Sequence, residues 1–418
     1  MVHNFMKKAL IIIILVVLVL YLAAIGIMST QGSAGDQTDA DPAGGTGVQQ
    51  EQPQDPAGDI NKQPQDPADD INKQPQENQD AEKSKEPEQP QETKITKPEP
   101  VEVKGIYATG ITVGSSRLDE LIELIDQTEL NSLVVDIKDA TGYLTTNLQL
   151  ESELVVDSSG KKIKDLSVVL QKLKEHDIYT IARIVVFKDS LLVEQYPELA
   201  VKRVSGGVWY DYKGKAWTDP YNRKVWDYNT AIAEAAAEAG FDEIQFDYVR
   251  FPSDGPLKEA VYPGKDDKGK AETIAEFLAY AKNRLEKHGV FLSADVFGLT
   301  TSAKDDLGIG QKIELIAANT DYVSPMVYPS HYALGSYGIK NPNAAPYRTV
   351  HKSLTDAVYR LQETDNIIRP WLQDFSYGYP YGADEVKAQV QATYDAGLKE
   401  WILWNPSNRY TEAALIKE

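Results

Sequence analysis

Three patterns of apolar and polar positions divide the 418-residue chain. Residues 9–28, ALIIIILVVLVLYLAAIGIM, are apolar and uncharged throughout. From 29 to 104 no apolar stripe develops. From 105 to 418, short apolar runs alternate with longer amphipathic stretches. The runs are GIYATGITVG (105–114), SLVVDIKD (132–139), YTIARIVVF (179–187), DEIQFDYVRF (242–251), VFLSADVFG (290–298), DYVSPMVYP (321–329), IIRPWLQDF (367–375) and EWILWNP (400–406). Their β-branched and aromatic content predicts eight strands. Leu118, Leu121, Ile122 and Ile125 recur at helical spacing, and further helices are predicted near 165–175, 224–239 and 271–287. Strands apolar on both faces, separated by helix-length material, predict a parallel sheet covered by helices. Eight of them predict a (β/α)8 TIM barrel over 105–418. A doubly wound sheet is the alternative, weakened because no strand leads into a glycine-rich phosphate loop.

The first two patterns bear on location. Twenty helical residues span roughly 30 Å, the thickness of a bilayer core. Lys7 and Lys8 precede the run, and the next Lys or Arg is Lys62. A transmembrane anchor at 9–28 is therefore expected, with 1–8 cytoplasmic and the rest outside the cell. A cleaved signal peptide, cut near Ala24-Ile25-Gly26 or Ser33-Ala34-Gly35, is the alternative and would make the protein secreted. Residues 29–104 hold QPQDPAGDINK followed at once by QPQDPADDINK. From Gln31 to Pro100 there are 16 acids, 6 lysines and no aromatic residue, which is half of the chain's net charge of −20. That composition predicts a disordered acidic linker and argues against a nucleic-acid partner.

Polar and charged residues also stand at the C-terminal ends of the strands. Asp136 and Lys138 end the second, Asp247 the fourth, Asp295 the fifth, Tyr328 the sixth, Asp374 the seventh and Asn405 the eighth, while Arg183 lies in the third. Side chains alternate along a strand, so Gln245 and Asp247 share a direction, as do Ser293 and Asp295. In a barrel these positions ring the mouth where chemistry takes place. Zero cysteine removes thiol nucleophiles and Cys-ligated metals. No two of the five histidines stand three or four apart, so neither a metal nor another cofactor is expected. His331 is the histidine placed at the mouth, where it is expected to touch substrate.

Paired carboxylates remain, and glycoside hydrolysis uses them: one acid protonates the leaving oxygen and the other attacks or activates water. Aromatic loops at 206–228 and 374–382 offer platforms for sugar rings. The expected catalytic residues are Asp247 as nucleophile, Asp295 as acid/base and Asp136 in support. Arg250, Lys138, Arg183, Tyr328, His331, Trp371, Asp374, Trp404 and Asn405 are expected to bind substrate. Arg250 would hold Asp247 ionised, or else form a structural pair with Asp254 or Asp136. The motifs VVDIKD, FDYVRFP, SADVFG, SPMVYPSHY, IIRPWLQDF and WILWNPSNRY together resemble a bacterial family of glycosyl-hydrolase-like TIM-barrel domains. The resemblance covers essentially 105–412. It implies the barrel, a glycosidase class of activity on a carbohydrate polymer, and acidic centres at Asp136, Asp247 and Asp295. The alternative is a carbohydrate- or cell-wall-binding module without turnover on the same barrel.

Overall fold

All eight predicted strands form. They are β1 (Lys104–Ala108), β2 (Ser132–Lys138), β3 (Tyr179–Val185), β4 (Glu243–Asp247), β5 (Phe291–Phe297), β6 (Tyr322–Met326), β7 (Trp371–Gln373) and β8 (Trp401–Trp404). The computed structural model describes residues 96–157 and 161–417. Each strand pairs in parallel with the next, and the ring closes where Lys104 of β1 pairs with Trp401 of β8. The architecture is a (β/α)8 barrel. Seven helices follow the first seven strands: α1 (Arg117–Asp126), α2 (Leu166–Glu175), α3 (Arg223–Ala239), α4 (Lys270–Leu285), α5 (Ile313–Ala317), α6 (Pro346–Leu361) and α7 (Ala383–Asp395).

Local chemistry sets the element ends. The Asp165 carboxylate caps α2 by accepting from the backbone N–H of Ser167 and Val168, and Asn222 caps α3 through Lys224. The alanine-rich α3 ends at Gly240, whose φ of 109° suits only a residue without a side chain. Its Trp226, Tyr228 and Ile232 are buried against the barrel. In α1 the predicted stripe of Leu118, Leu121, Ile122 and Ile125 is buried. Each such side chain contributes about 1.5–3 kcal/mol.

Three boundaries differ from expectation. GIYATGITVG is a strand only to Ala108, because Thr109 caps a helical turn over Gly110–Val113. DEIQFDYVRF stops at Asp247, because Tyr248 has φ 49° and cannot continue a strand. IIRPWLQDF is split: Ile367–Ile368 pairs with β6, Pro370 interrupts, and Trp371–Gln373 resumes toward β8. The aromatic insertion at 206–228 also differs. Trp209 and Trp217 are buried and serve the core, leaving Tyr212 as its most exposed ring.

The membrane anchor is corrected. Among the described residues no helix is long and apolar enough to cross a membrane, and the 9–28 run lies outside those residues, as do 1–8 and the linker to residue 95. The membrane partner, the single-pass topology and the extracellular placement that rested on the anchor are withdrawn with it. The linker expected to reach residue 104 ends earlier. Lys97 pairs with Asp321, and Val103 is fully buried in the barrel interior beside Tyr179 and Phe291.

The N-terminal end of the barrel is sealed by charge. Arg369 is fully buried, donates from Nη1 to both Glu243 oxygens at 2.9 and 2.8 Å, and donates from Nε to Glu400 at 2.7 Å. Its guanidinium carbon lies 3.8 Å from the Tyr322 ring centre. Such a buried network fixes geometry more than it adds stability.

Candidate active site

The opposite end of the barrel is built around a second arginine. Arg183 on β3 donates from Nη1 to Asp136 of β2 at 2.5 Å and from Nη2 to Asp247 of β4, and its Nε lies 4.0 Å from Asp295 of β5. The register explains the convergence. Asp136 pairs directly with Arg183, Val185 with Asp247, and Phe246 with Ala294, so Asp247 and Asp295 follow next on adjacent strands. Tyr107 of β1 donates its hydroxyl to Asp136 at 2.5 Å, and Trp371 of β7 donates its indole N–H to Asp295 at 2.6 Å. Trp404 of β8 stacks on Tyr107 with ring centres 4.1 Å apart.

The electrostatics divide these groups. Burial pushes the Asp295 carboxyl well above the usual carboxylate range, and the neighbouring Asp247 charge adds to it, against the pull of Arg183 and the Trp371 hydrogen bond. Burial also raises Asp136, opposed by Arg183 and the Tyr107 hydroxyl. Burial works against the Arg183 charge too, but Asp136 and Asp247 outweigh it and hold the guanidinium firmly protonated. Asp247 accepts on both oxygens, from Arg183 on one and from the Tyr248 backbone N–H at 2.5 Å on the other. That second bond requires Tyr248 in the left-handed region at φ 49°. A bulky residue held there costs roughly 1–3 kcal/mol, the kind of strain that functional sites retain.

A cavity of about 470 Å³ opens over this cluster. That volume lies in the range of small-molecule and sugar-sized pockets. Arg183, Asp247, Asp295, Trp371 and Trp404 line it, together with Tyr328, His331, Tyr248, Arg250, Lys188 and Lys213. A cavity of about 420 Å³ at the N-terminal end, near Phe291 and Asp321, has no comparable set of converging carboxyls.

Of the residues expected here, Asp247, Asp295, Arg183, Arg250, Tyr328, His331, Trp371 and Trp404 line the cavity. Asp136 stands behind Arg183. Lys138 does not come to the mouth: β2 shifts register between Asp136 and Lys138. That irregularity turns Lys138 outward, fully buried, onto Asp189 at 2.6 Å and Asn229 at 2.8 Å. Asp374 is also away from the cavity, accepting from the Thr411 backbone N–H at 2.8 Å and hydroxyl at 2.6 Å. Asn405 organises the same C-terminal segment, donating to the carbonyls of Asp374 and Arg409. Arg250 does not form an ion pair with Asp247, Asp254 or Asp136; the ion-pair partner of Asp247 is Arg183. Sequence reasoning missed Tyr107, Tyr248, Lys188 and Lys213. Lys188 directly follows the third strand's apolar run, so the strand-end rule would have found it. Nothing local marks Lys213.

The comparisons agree with this architecture. The sequence pattern of a family described as "Putative glycosyl hydrolase domain" matches residues 105–410. A hypothetical protein of Ruminiclostridium thermocellum is 42% identical over 49% of this chain and 98% of its own, with a TM-score of 0.41. The glycoside hydrolase domain of PgaB (BpsB) from Bordetella bronchiseptica is 14% identical over 76% of this chain and 99% of its own, with a TM-score of 0.54. At that identity the likeness is one of fold alone. No curated protein matches the chain.

Proposed function

Since the chain belongs to the glycosyl hydrolase domain family whose pattern spans residues 105–410, we propose that its barrel hydrolyses glycosidic bonds, with Asp295 as general acid and Asp247 as nucleophile. The observation that carries this reading is the pairing itself. Two carboxyls end adjacent strands under one cavity: burial raises the pKa of Asp295, while Asp247 is bound to a guanidinium. Pairs whose environments push their proton affinities apart are what acid–nucleophile chemistry needs.

In the first step the Asp295 proton passes to the glycosidic oxygen as its bond to the anomeric carbon breaks. An Asp247 oxygen forms the new bond to that carbon, giving a glycosyl ester. In the second step Asp295, now a carboxylate, takes a proton from water, the water oxygen attacks the anomeric carbon, and Asp247 leaves as carboxylate. Neighbouring strands lie about 4.8 Å apart, which is compatible with the roughly 5–5.5 Å carboxyl separation of retaining enzymes. Arg183 and the Tyr248 N–H orient Asp247. Tyr107 and Asp136 hold Arg183 in place, and Trp371 aims Asp295.

The test is release of reducing ends from a panel of polysaccharides. On any substrate cleaved, Asp247→Asn should lose about 10²–10⁴-fold in rate with unchanged circular dichroism. Asp295→Asn should be slow on substrates with poor leaving groups and much less impaired on activated aryl glycosides, which need little protonation. Asp247→Asn working at the parent's rate would sink the reading. The alternative of a glycan-binding site without turnover draws on the Arg183 ion cluster, since both Asp247 oxygens already have partners. Glycan binding without product release from any bound glycan would favour it.

A further inference from the structure

The hydrolytic pair leaves one buried cation of the cavity without a task. Arg250 follows Asp247 by three residues, is 5% exposed and lines the cavity. Its Nη1 donates to the Phe251 carbonyl at 3.0 Å and to the Ser253 hydroxyl at 3.2 Å. A guanidinium offers five N–H donors. Among the described residues no other acceptor meets the rest, and no carboxylate forms an ion pair with it. Aromatic rings hold it in position: its central carbon lies 4.9 Å from the ring centres of Trp217 and Tyr248 and 4.5 Å from that of Phe297. Burying a cation is costly, and here burial lowers the Arg250 pKa against the pull of Tyr248, Asp247, Asp254 and Asp211.

The same wall carries further positive charge. Lys188, held 5.0 Å from the Tyr248 ring centre, reaches Asp211 only at 3.4 Å, and among the described residues the exposed Lys213 forms no ion pair. Of the carboxylates near this wall, Asp211 pairs with Lys188, and the Oδ1 of Asp254 accepts from the Tyr212 backbone N–H at 3.3 Å. The cavity as a whole presents four cationic side chains against three carboxyls, in a chain whose net charge is −20.

We infer that this wall is a subsite for an acidic sugar, in which Arg250 receives the carboxylate of a uronic-acid-type residue while the neighbouring linkage lies over Asp247 and Asp295. The inference rests on the hydrolytic reading for the second half of that statement only. A planar guanidinium with two free parallel donors matches a planar carboxylate. The aromatic rings around it keep that fork rigid, so little side-chain entropy is lost on binding.

The test is a glycan array probed with the full chain. It should carry oligouronides, their carboxyl-reduced neutral counterparts and sulfated oligosaccharides. Retention of oligouronides over their reduced forms is expected, by about 10- to 100-fold, the value of a charge-assisted hydrogen bond. Arg250→Gln should abolish that preference and Arg250→Lys should keep part of it. Because a buried arginine can matter to folding, Lys213→Glu provides the second arm. It alters an exposed residue of the same wall and should weaken oligouronide binding several-fold while leaving the reduced forms unchanged. An array that retains only neutral glycans, or none, overturns the subsite. Stronger retention of sulfated than of carboxylated glycans overturns its assignment to a carboxylate. Arg250-dependent binding of oligouronides that are never cleaved would leave the subsite standing and remove the hydrolytic reading. Asp247-dependent cleavage of neutral glycans alone would do the reverse.

Discussion

The two ends of the barrel use the same device for different ends. At the N-terminal end Arg369 bridges Glu243 and Glu400, and at the C-terminal end Arg183 bridges Asp136 and Asp247. Arg369 and Glu243 are fully buried, with the Tyr322 ring packed against the guanidinium. Arg183 faces a cavity of about 470 Å³ and has a third carboxyl, Asp295, within reach of its Nε. One guanidinium cannot balance three carboxyls, and burial, with the Asp247 charge beside it, pushes the Asp295 carboxyl well above the usual carboxylate range. A closed ion cluster is a plug. The same cluster opened to a cavity and given a surplus acid becomes a candidate for proton transfer.

The comparison can be broken by mutating each arginine in turn. Arg369→Leu leaves two buried carboxylates without a cation and should cost about 3–5 kcal/mol in urea unfolding. The rate per folded molecule should be unchanged. Arg183→Leu should do the opposite: the cavity lets water reach Asp247, so the loss of stability should be smaller, while turnover on any cleaved glycan should fall sharply. Equal stability losses from the two variants would erase the distinction between plug and site.

Asp295 sharpens the same contrast through pH. An unfolded aspartate titrates near 3.9, whereas burial and then the Asp247 charge raise the folded group above that. Above about pH 4 the folded state therefore binds more protons than the unfolded one, and stability falls as pH rises. Asp295→Asn cannot ionise. Its unfolding free energy should gain on the parent's from about pH 4 toward neutral, by at most about 1.4 kcal/mol per pH unit. A constant difference across that range would show that Asp295 has no raised pKa.

The smallest effect expected is at Asn405. Its amide donates to the carbonyls of Asp374 and Arg409, a turn outside the cavity. Asn405→Ala should cost about 1 kcal/mol in unfolding free energy and leave glycan turnover as it was. A specific loss of turnover would return Asn405 to the site.

How much of this was legible in the sequence follows from which signals are local. The strands were readable because barrel strands are apolar on both faces and stand out as continuous runs. The two-residue period brought Asp247 and Asp295 to the mouth correctly. It failed at Lys138, because the register shift after Asp136 depends on how β2 pairs with β3 and leaves no mark in SLVVDIK. Asp374 misled for a related reason: its partner Thr411 lies 37 residues away, a pairing that no local pattern announces. Aromatic density at 206–228 read as sugar platforms, yet Trp209 and Trp217 are core residues. Composition counts rings without saying which way they face. The strand-end charges pointed to Arg250 as the partner of Asp247, while the structure gives that part to Arg183, whose side chain crosses from β3. Contacts between strands decide such pairings, and the sequence orders strands without stating their stagger.

The central claim is that Asp247 forms a covalent bond to the sugar. The measurement that meets it most directly is trapping with 2-deoxy-2-fluoroglycosyl fluorides, followed by intact and peptide mass spectrometry of the full chain. Fluoride leaves the anomeric carbon as the carboxylate attacks it, and the 2-fluoro group slows hydrolysis of the ester. The account predicts a glycosyl adduct on the peptide that contains Asp247, absent from Asp247→Asn and slower to form in Arg183→Leu. An adduct on the Asp136 or Asp374 peptide, or turnover of the trapping reagent by Asp247→Asn at the parent's rate, would contradict it.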